Sequence, residues 1–386
     1  MSGNDRAEGS SGGLATWFIR KCLKDHSVDR VINVSKSTRD NQLFDYQIIS
    51  NRDELEQSRG SKYYPVTLAD VMQEVIHGKE DYRYLITGLP CFLYGIRLLE
   101  EACPKIQKRI KILVGLVCGQ CPNKQLSELL SAAQQGRLAS SKDQIHFRRK
   151  KKNAIDAYDY EFTVNNGESW AFLGKSMRSL YGFLWMNKYF SHRACHFCDD
   201  TFAEIADVVF MDAWLPEYIK DPKGNNLVLV RDSALNSIFE IGIQEGTCAI
   251  ERIGIDRVFR SQSSVVKYKK YRVRQRCQYA LKEGKWVPPR PCADDAEIDG
   301  EACKQDAFLL GLSAWSKANW PSYRNYGRSG VFFFLIHSLL SHRRNIRYLK
   351  EWQSIVPGFK RIKQMERLLR RLMKKWLFMP KALSKD

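Results

Sequence analysis

The sequence predicts an α/β fold with a parallel-sheet core, an α+β cysteine-containing second part and a helical, basic C-terminal extension. Three observations lead there. Apolar residues fill 44% of 386 positions, enough for a large core. Through residues 8–140, short Ile- and Val-rich runs alternate with helix-length segments, the pattern of parallel strands joined by helices. Past residue 340 the composition changes: fourteen Lys and Arg stand against three acidic residues, placing +11 of the +19 net charge there.

The elements follow in order. Residues 14–23 form an apolar helix behind Ser10-Ser-Gly-Gly13, and 30–34 a short strand. Residues 53–57 and 68–76 are helical. Residues 84–87 form a strand that runs into Gly88-Leu-Pro-Cys91, and 92–103 are helical. A second buried strand, 110–117, ends at Cys118, and the helix 125–133 follows. Residues 144–164 read as β structure around a charged turn, and the chain is loop-like near Cys195. Strands at 205–211 and 227–230 flank the turn Gly224-Asn-Asn226, before a helix at 233–245. Residues 288–306, rich in Pro, Asp and Glu, read as a linker. The predicted domains are an α/β unit over 8–140, the cysteine-containing part over 141–290, and the linker with its basic tail over 291–386.

Several function classes fall away. The longest apolar run, residues 331–340, is about half of what spans a bilayer. No basic region followed by an apolar stretch opens the chain, so the expected compartment is cytoplasmic. The charge is accompanied by no zinc-finger, helix-turn-helix or RNA-recognition pattern, which argues against nucleic acid as the partner. Phe359, Ile362, Met365, Leu369, Leu372, Met373 and Trp376 recur at three and four among Lys and Arg. That is a basic amphipathic helix, suited to an anionic membrane surface or to packing on its own domain, so a peripheral position at the inner membrane surface is open.

The chemistry lies in the eleven cysteines. A reducing compartment disfavours disulfides, which leaves metal binding or redox chemistry for a subset of them. Cys118-Gly-Gln-Cys121 and Cys195-His-Phe-Cys198 each let two thiolates face one ion or cluster, but 73 residues separate the pairs. A zinc ribbon closes within about 15–20. Cys91 and Cys118 each follow an apolar strand, which puts both at the carboxyl edge of a parallel sheet, where such folds bind ligands. With Cys195 and Cys198 they make four thiolates, enough for an iron–sulfur cluster or a tetrahedral zinc; Cys121 is a fifth. Cys22, Cys103, Cys248, Cys277, Cys292 and Cys303 read as small buried hydrophobes, and His192 and His196 as solvated. Ser11-Gly-Gly13 before a helix is an anion site in principle. Thr87-Gly88 after a strand is a close-approach point, and Lys62 with Tyr63 offers a cation and an aromatic face.

Taken in order, these residues resemble the beta-subunit family of coenzyme F-420 hydrogenases and dehydrogenases. Ser11-Gly-Gly13 is similar to the family's opening glycine motif, Gly60-Ser-Lys-Tyr63 to its G-S-K-Y element, and Thr87-Gly-Leu-Pro-Cys91 to its T-G-x-P-C loop. Leu116-Val-Cys-Gly119 resembles its strand ending in Cys, and Phe147-Arg-Arg-Lys150 its f-R-x-K strand. Cys195-His-Phe-Cys198, Glu204-Ile-Ala-Asp207 and Asp212-Ala-Trp214 resemble its C-x-x-C, E-x-A-D and G-D-x-W signatures, so that the likeness runs over residues 8–290.

The resemblance implies an oxidoreductase that moves electrons between a hydride carrier, FAD and a four-iron cluster. FAD would lie near Ser11, Gly12, Gly13, Lys62, Tyr63, Thr87 and Gly88, and the cluster on Cys91, Cys118, Cys195 and Cys198. The family also contains chains associated with polysaccharide pyruvylation. The alternative is therefore a non-catalytic accessory protein of exopolysaccharide assembly, stabilised by zinc or a cluster. Many members carry an N-terminal ferredoxin-like segment, and this chain begins where it would end, so a separate electron partner such as a ferredoxin is expected. Met211 stands at the family's Gly position before Asp212, so a different turn is expected there.

Overall fold

The computed structural model describes residues 3–165, 180–288, 300–342 and 344–345. The chain divides into Met1–His342 and Arg343–Asp386, and every element below lies in the first unit. The amphipathic helix expected at 359–376 and Cys292 fall outside the described residues.

The chain opens with helices α1 (Gly3–Glu8) and α2 (Leu14–Lys24), strands β1 (Arg30–Lys36) and β2 (Phe44–Ile49), and helices α3 (Arg52–Gln57) and α4 (Ala69–His77). Strand β3 (Tyr84–Gly88), helices α5 (Pro90–Ala102) and α6 (Pro104–Arg109), strand β4 (Ile110–Leu116) and helix α7 (Gln125–Gln135) follow. A hairpin of β5 (Ile145–Lys150) and β6 (Tyr160–Val164) precedes α8 (Leu180–Met186) and α9 (Arg193–His196). Next come β7 (Val208–Asp212), α10 (Pro216–Ile219), β8 (Asn226–Val230), α11 (Asn236–Gln244), α12 (Ile255–Ser261) and α13 (Ser263–Val266). A π-helical turn, Lys267–Tyr271, leads to α14 (Val273–Lys282), α15 (Gly300–Asn319) and α16 (Gly327–Ser341).

The main sheet has six strands in the order β2-β1-β3-β4-β7-β8. The inner four are parallel, and β2 and β8 run antiparallel at the edges. Each parallel crossover steps the same way across the sheet. Right-handed crossovers then put their helices on one face, and Val75 of α4, Leu93 of α5 and Ile106 of α6 pack there on Ile86, Leu113 and Val209. The other face receives Phe18 of α2 and Phe239 of α11, whose rings stack at 5.2 Å, over Leu85, Val114 and Phe210. Strand residues alternate between the two cores, so both faces are buried, as a parallel sheet requires.

The structure bears out the α/β class and adds an edge strand, β2, that the sequence reading lacked. It also corrects two readings, the linker and the turn at Met211. Residues 300–306 of the expected linker are the first turns of α15, and Asp306 is 1% exposed, held by Arg272 and by Arg276 at 3.0 Å. The apolar run 331–340 lies within α16, with Val331, Phe334, Leu335 and Leu339 buried. Among the described residues no helix is long and apolar enough to cross a membrane. Met211 occupies a buried place inside β7, in register with Leu227, rather than a turn.

Removing one member of a buried ion pair strands the other charge, which costs about 3–5 kcal/mol. Asp306→Ala is therefore expected to lose about that much stability in equilibrium urea unfolding, while Asp256→Ala, on an exposed pair with Arg260, stays within about 0.5 kcal/mol of the parent.

Candidate cofactor site and thiol cluster

Asn226 pairs with Asp212 at the end of β7 and bonds the Leu14 N–H, so α2 starts at the edge where the parallel strands β1, β3, β4 and β7 end. Gly13 caps α2 in the left-handed region at φ 79°. A Cβ there would stand 2.5 Å from the Asp5 carbonyl oxygen, and one on Gly12 would stand 2.7 Å from the Asn226 backbone nitrogen. These glycines allow α1 and the start of β8 to close on the head of α2. Asn226 Oδ1 accepts from the Leu14 N–H at 3.0 Å and takes one of the free donors of that helix end.

The seven residues expected around FAD are joined through partners that the sequence did not suggest. Thr87 Oγ1 donates to Asn33 Oδ1 at 2.5 Å, and Asn33 Nδ2 donates to Ser58 Oγ at 2.9 Å. The Lys62 amine donates to the carbonyls of Ser58 and Arg59. The Ser61 N–H donates to Ser10 Oγ at 2.8 Å, and the Lys150 amine donates to the Ser11 carbonyl at 2.7 Å. One line of hydrogen bonds and adjacent residues thus runs from Thr87, beside Gly88, to Ser11, beside Gly12 and Gly13. Burial pushes the Lys62 amine down to about 7. Tyr63 lies 4.5 Å from the Trp185 ring and edge-on to Phe147 at 5.7 Å.

The line ends in a small surface cleft lined by Ser10, Ser11, Arg148, Lys150, Tyr160, Trp214 and Asn225 among others. Arg148 is buried against Asp212 at 2.7 Å, with its guanidinium over the Tyr160 ring at 4.4 Å. Its Nε has no partner. The Lys150 amine is pushed down to about 8, first by burial and then by the charges of Arg6 and Arg148. Trp214 stacks on Tyr158 at 4.6 Å. On β5 Arg148 and Lys150 turn inward on either side of the exposed Arg149.

The thiols gather at the same edge. Cys91 sits exposed in the first turn of α5, and Cys118 lies buried just past β4. Cys121, Cys195 and Cys198 are half-buried. Cys118 feels the charges of Cys195, Cys91 and Cys198. The Cys121 N–H donates to Cys195 Sγ at 3.3 Å, which also brings the fifth thiol into the group. Burial pushes the Cys118 thiol up to about 12 and raises that of Cys195. Among the described residues no three His, Cys, Asp or Glu side chains converge on the position of a single ion.

Lys269 stands among these thiols, 2% exposed, on the π-helical turn. Its amine donates to the Cys118 carbonyl at 3.0 Å and to the Asp200 carbonyl at 2.5 Å, and the Cys198 thiol donates to that same Asp200 carbonyl at 3.6 Å. Burial alone would lower its pKa, but the charges of Cys118 and Cys198 outweigh burial and the net shift is upward. His196, read as solvated, is 1% exposed and shares a hydrogen bond with the Tyr268 hydroxyl at 2.7 Å. Burial and the nearby Lys188 and Arg276 hold its pKa well below the usual range. Gln120 Oε1, His196 Nε2, Asp200 Oδ1 and Thr201 Oγ1, next to the cysteines, are buried without partners among the described residues. Unmet polar atoms concentrated in one place are expected where a site takes an occupant. Cys22 and Cys248 are buried in the core on the α2 face of the sheet, and Cys277 is buried against Phe197 beside the cysteine pair, as expected of small hydrophobes.

Two family models match the chain, and both describe the beta subunit of coenzyme F420 hydrogenase/dehydrogenase. Residues 2–73 match the model of its N terminus, and residues 81–255 match the model of its C terminus. The chain belongs to this family. Among solved structures it is similar to a chain of the F420-reducing [NiFe] hydrogenase complex from Methanosarcina barkeri, with a TM-score of 0.52 and 16% identity over 75% of this chain and 93% of that one. At that identity the likeness is one of fold. No curated protein matches the chain.

A left-handed non-glycine residue costs about 1–2 kcal/mol, and overlap with fixed backbone adds about 1–3 kcal/mol. Gly13→Ala is expected to lose at least about 2 kcal/mol in urea unfolding. Gly284→Ala, which has the same sign of φ but open space around its Cβ, shows only the left-handed penalty.

Proposed function

We propose that this protein is an iron–sulfur flavoprotein oxidoreductase. In this reading FAD lies along the line from Thr87 to Ser11, and a four-iron cluster sits on Cys91, Cys118, Cys195 and Cys198. The observation that carries the reading is the gathering of four thiols from three separate stretches of chain around one buried cation, beside a cationic cleft at the same sheet edge.

The donor set fits. Each thiolate of a polynuclear cluster takes its own iron, which suits thiols that share a neighbourhood without meeting at one point. Burial raises the pKa of Cys91, Cys118 and Cys195, which keeps those thiols protonated until a metal displaces the protons. Arg148, fixed by Asp212, and Lys150, fixed by the Ser11 carbonyl, present positive charge to a pyrophosphate. The aromatic group of Tyr63, Trp185 and Phe147 offers an apolar wall that keeps water from a ring system. FAD, when bound, accepts a hydride and releases electrons singly. Asn33 and Ser58 hold Thr87 and Lys62 in place, and Tyr46 donates to the Thr87 carbonyl at 3.1 Å, which fixes the strand end between the two sites. The similar Methanosarcina chain comes from a hydrogenase complex, which supports electron exchange with a separate protein, a ferredoxin or another subunit.

Anaerobic purification with absorption spectroscopy and metal analysis tests the reading. The expected sample shows flavin bands, with iron and acid-labile sulfide in equal amounts. Cys118→Ala and Cys195→Ala lose the iron and keep the fold by circular dichroism. Lys150→Met weakens flavin retention about tenfold, the loss of one charge-assisted contact of about 1.5 kcal/mol. One zinc per chain without flavin would contradict the reading.

A further inference from the structure

We infer that Lys269 is the built-in counter-cation of the cluster, a positioning residue that stabilises the cluster's reduced state. The inference rests on the cluster reading above. Among the described residues Lys269 forms no ion pair with a carboxylate; its acceptors are the Cys118 and Asp200 carbonyls. An ammonium removed from water in this way is strongly unfavourable unless a negative group faces it. The negative groups available are thiolates: Cys118, whose own carbonyl holds the amine, and Cys198, whose sulfur meets the same Asp200 carbonyl at 3.6 Å.

The local backbone is built for this placement. A π-helical turn carries one residue more per turn than an α-helix and is frequent at functional sites. Here it aims Lys269 inward, while the next residue, Lys270, pairs with Glu204 at the surface. The Cys121 N–H on Cys195 Sγ adds a second donor to the sulfurs. Uptake of one electron by the cluster, delivered from the flavin or the electron partner, adds one negative charge. With an ammonium already facing the sulfurs, no proton has to accompany it. Hydrogen bonds to the sulfurs and nearby charge set such potentials, and both act here toward easier reduction.

The test uses the full chain, prepared anaerobically, with iron, sulfide and flavin measured in every sample. The cluster potential is then read by spectroelectrochemical titration in the parent and in Lys269→Met, Lys269→Gln, Lys269→Arg and Lys270→Gln. The Met and Gln variants are expected to shift the reduction equilibrium at least tenfold toward the oxidised form, about 59 mV for a one-electron couple. Lys269→Arg stays near the parent, and Lys270→Gln is unchanged. Loss of iron in Met and Gln but not in Arg also supports a charge requirement. Met and Gln variants with full iron and an unchanged potential would overturn the inference while leaving the cluster reading intact. Loss of iron in all three Lys269 variants, Arg included, would overturn it in favour of a packing role. A parent protein without iron would sink the cluster reading and this inference with it, and the parent's metal analysis separates that case from the others.

Discussion

Parallel pairing of β3 with β4 is the constraint on which the rest of the structure depends. Thr87 lies opposite Val114 and Gly88 opposite Gly115, so the two strands finish level. The chain leaves one through Leu89 and Pro90 to Cys91, and the other through Val117 to Cys118. Gly115 has a second part. A Cβ there would stand 2.6 Å from the Ala203 side chain, so its absence lets the loop after Cys198 lie against β4. The Cys118 N–H then donates to the Thr201 carbonyl at 3.1 Å and fastens that loop to the strand end. Three thiols distant in sequence are brought to one place by ordinary sheet and loop bonding, before any metal is considered.

The distribution of positive charge follows the same edge. Arg148 and Arg276 are buried with carboxylate partners, Asp212 and Asp306. The amines of Lys62 and Lys150 rest on carbonyls instead, and both stand on the line that leads to the cleft. Lys269 rests on the carbonyls of Cys118 and Asp200 among the thiols, and Lys188 lies 4.7 Å over the Tyr268 ring close by. Buried cations without a carboxylate are costly. In the proposed reading they face anionic occupants, a dinucleotide on one side and a thiolate-bound cluster on the other. The net charge of +19 thus has an inward component at the sites as well as an exposed one.

Much of the fold was legible because buried strands announce themselves. Tyr84–Gly88 and Ile110–Leu116 are apolar runs with helix patterns between them. Strand β2 was not legible, because Asp45 and Gln47 break the apolar pattern of an edge strand that pairs on one side only. The start of α15 was hidden for a different reason: the acidic Asp306 looks like linker composition until Arg272 and Arg276, on a separate helix and its approach, close on it. In the site, motif order placed the cysteines and the glycine loops. Asn33 and Lys269 could not be found that way. Asn33 acts through Ser58 and Thr87, and the partners of Lys269 are 151 and 69 positions away. A basic stretch seen alone carries no sign of which lysine turns inward.

The central claim is that this edge holds a flavin and a four-iron cluster together. Native mass spectrometry of the anaerobically prepared chain tests it most directly, because it weighs the occupants of a single molecule. The account predicts one species whose mass exceeds the polypeptide by one FAD and one cluster of four irons and four sulfides, with the cluster lost on oxygen exposure and the flavin retained. A chain that carries a single zinc ion, or neither group, would contradict it.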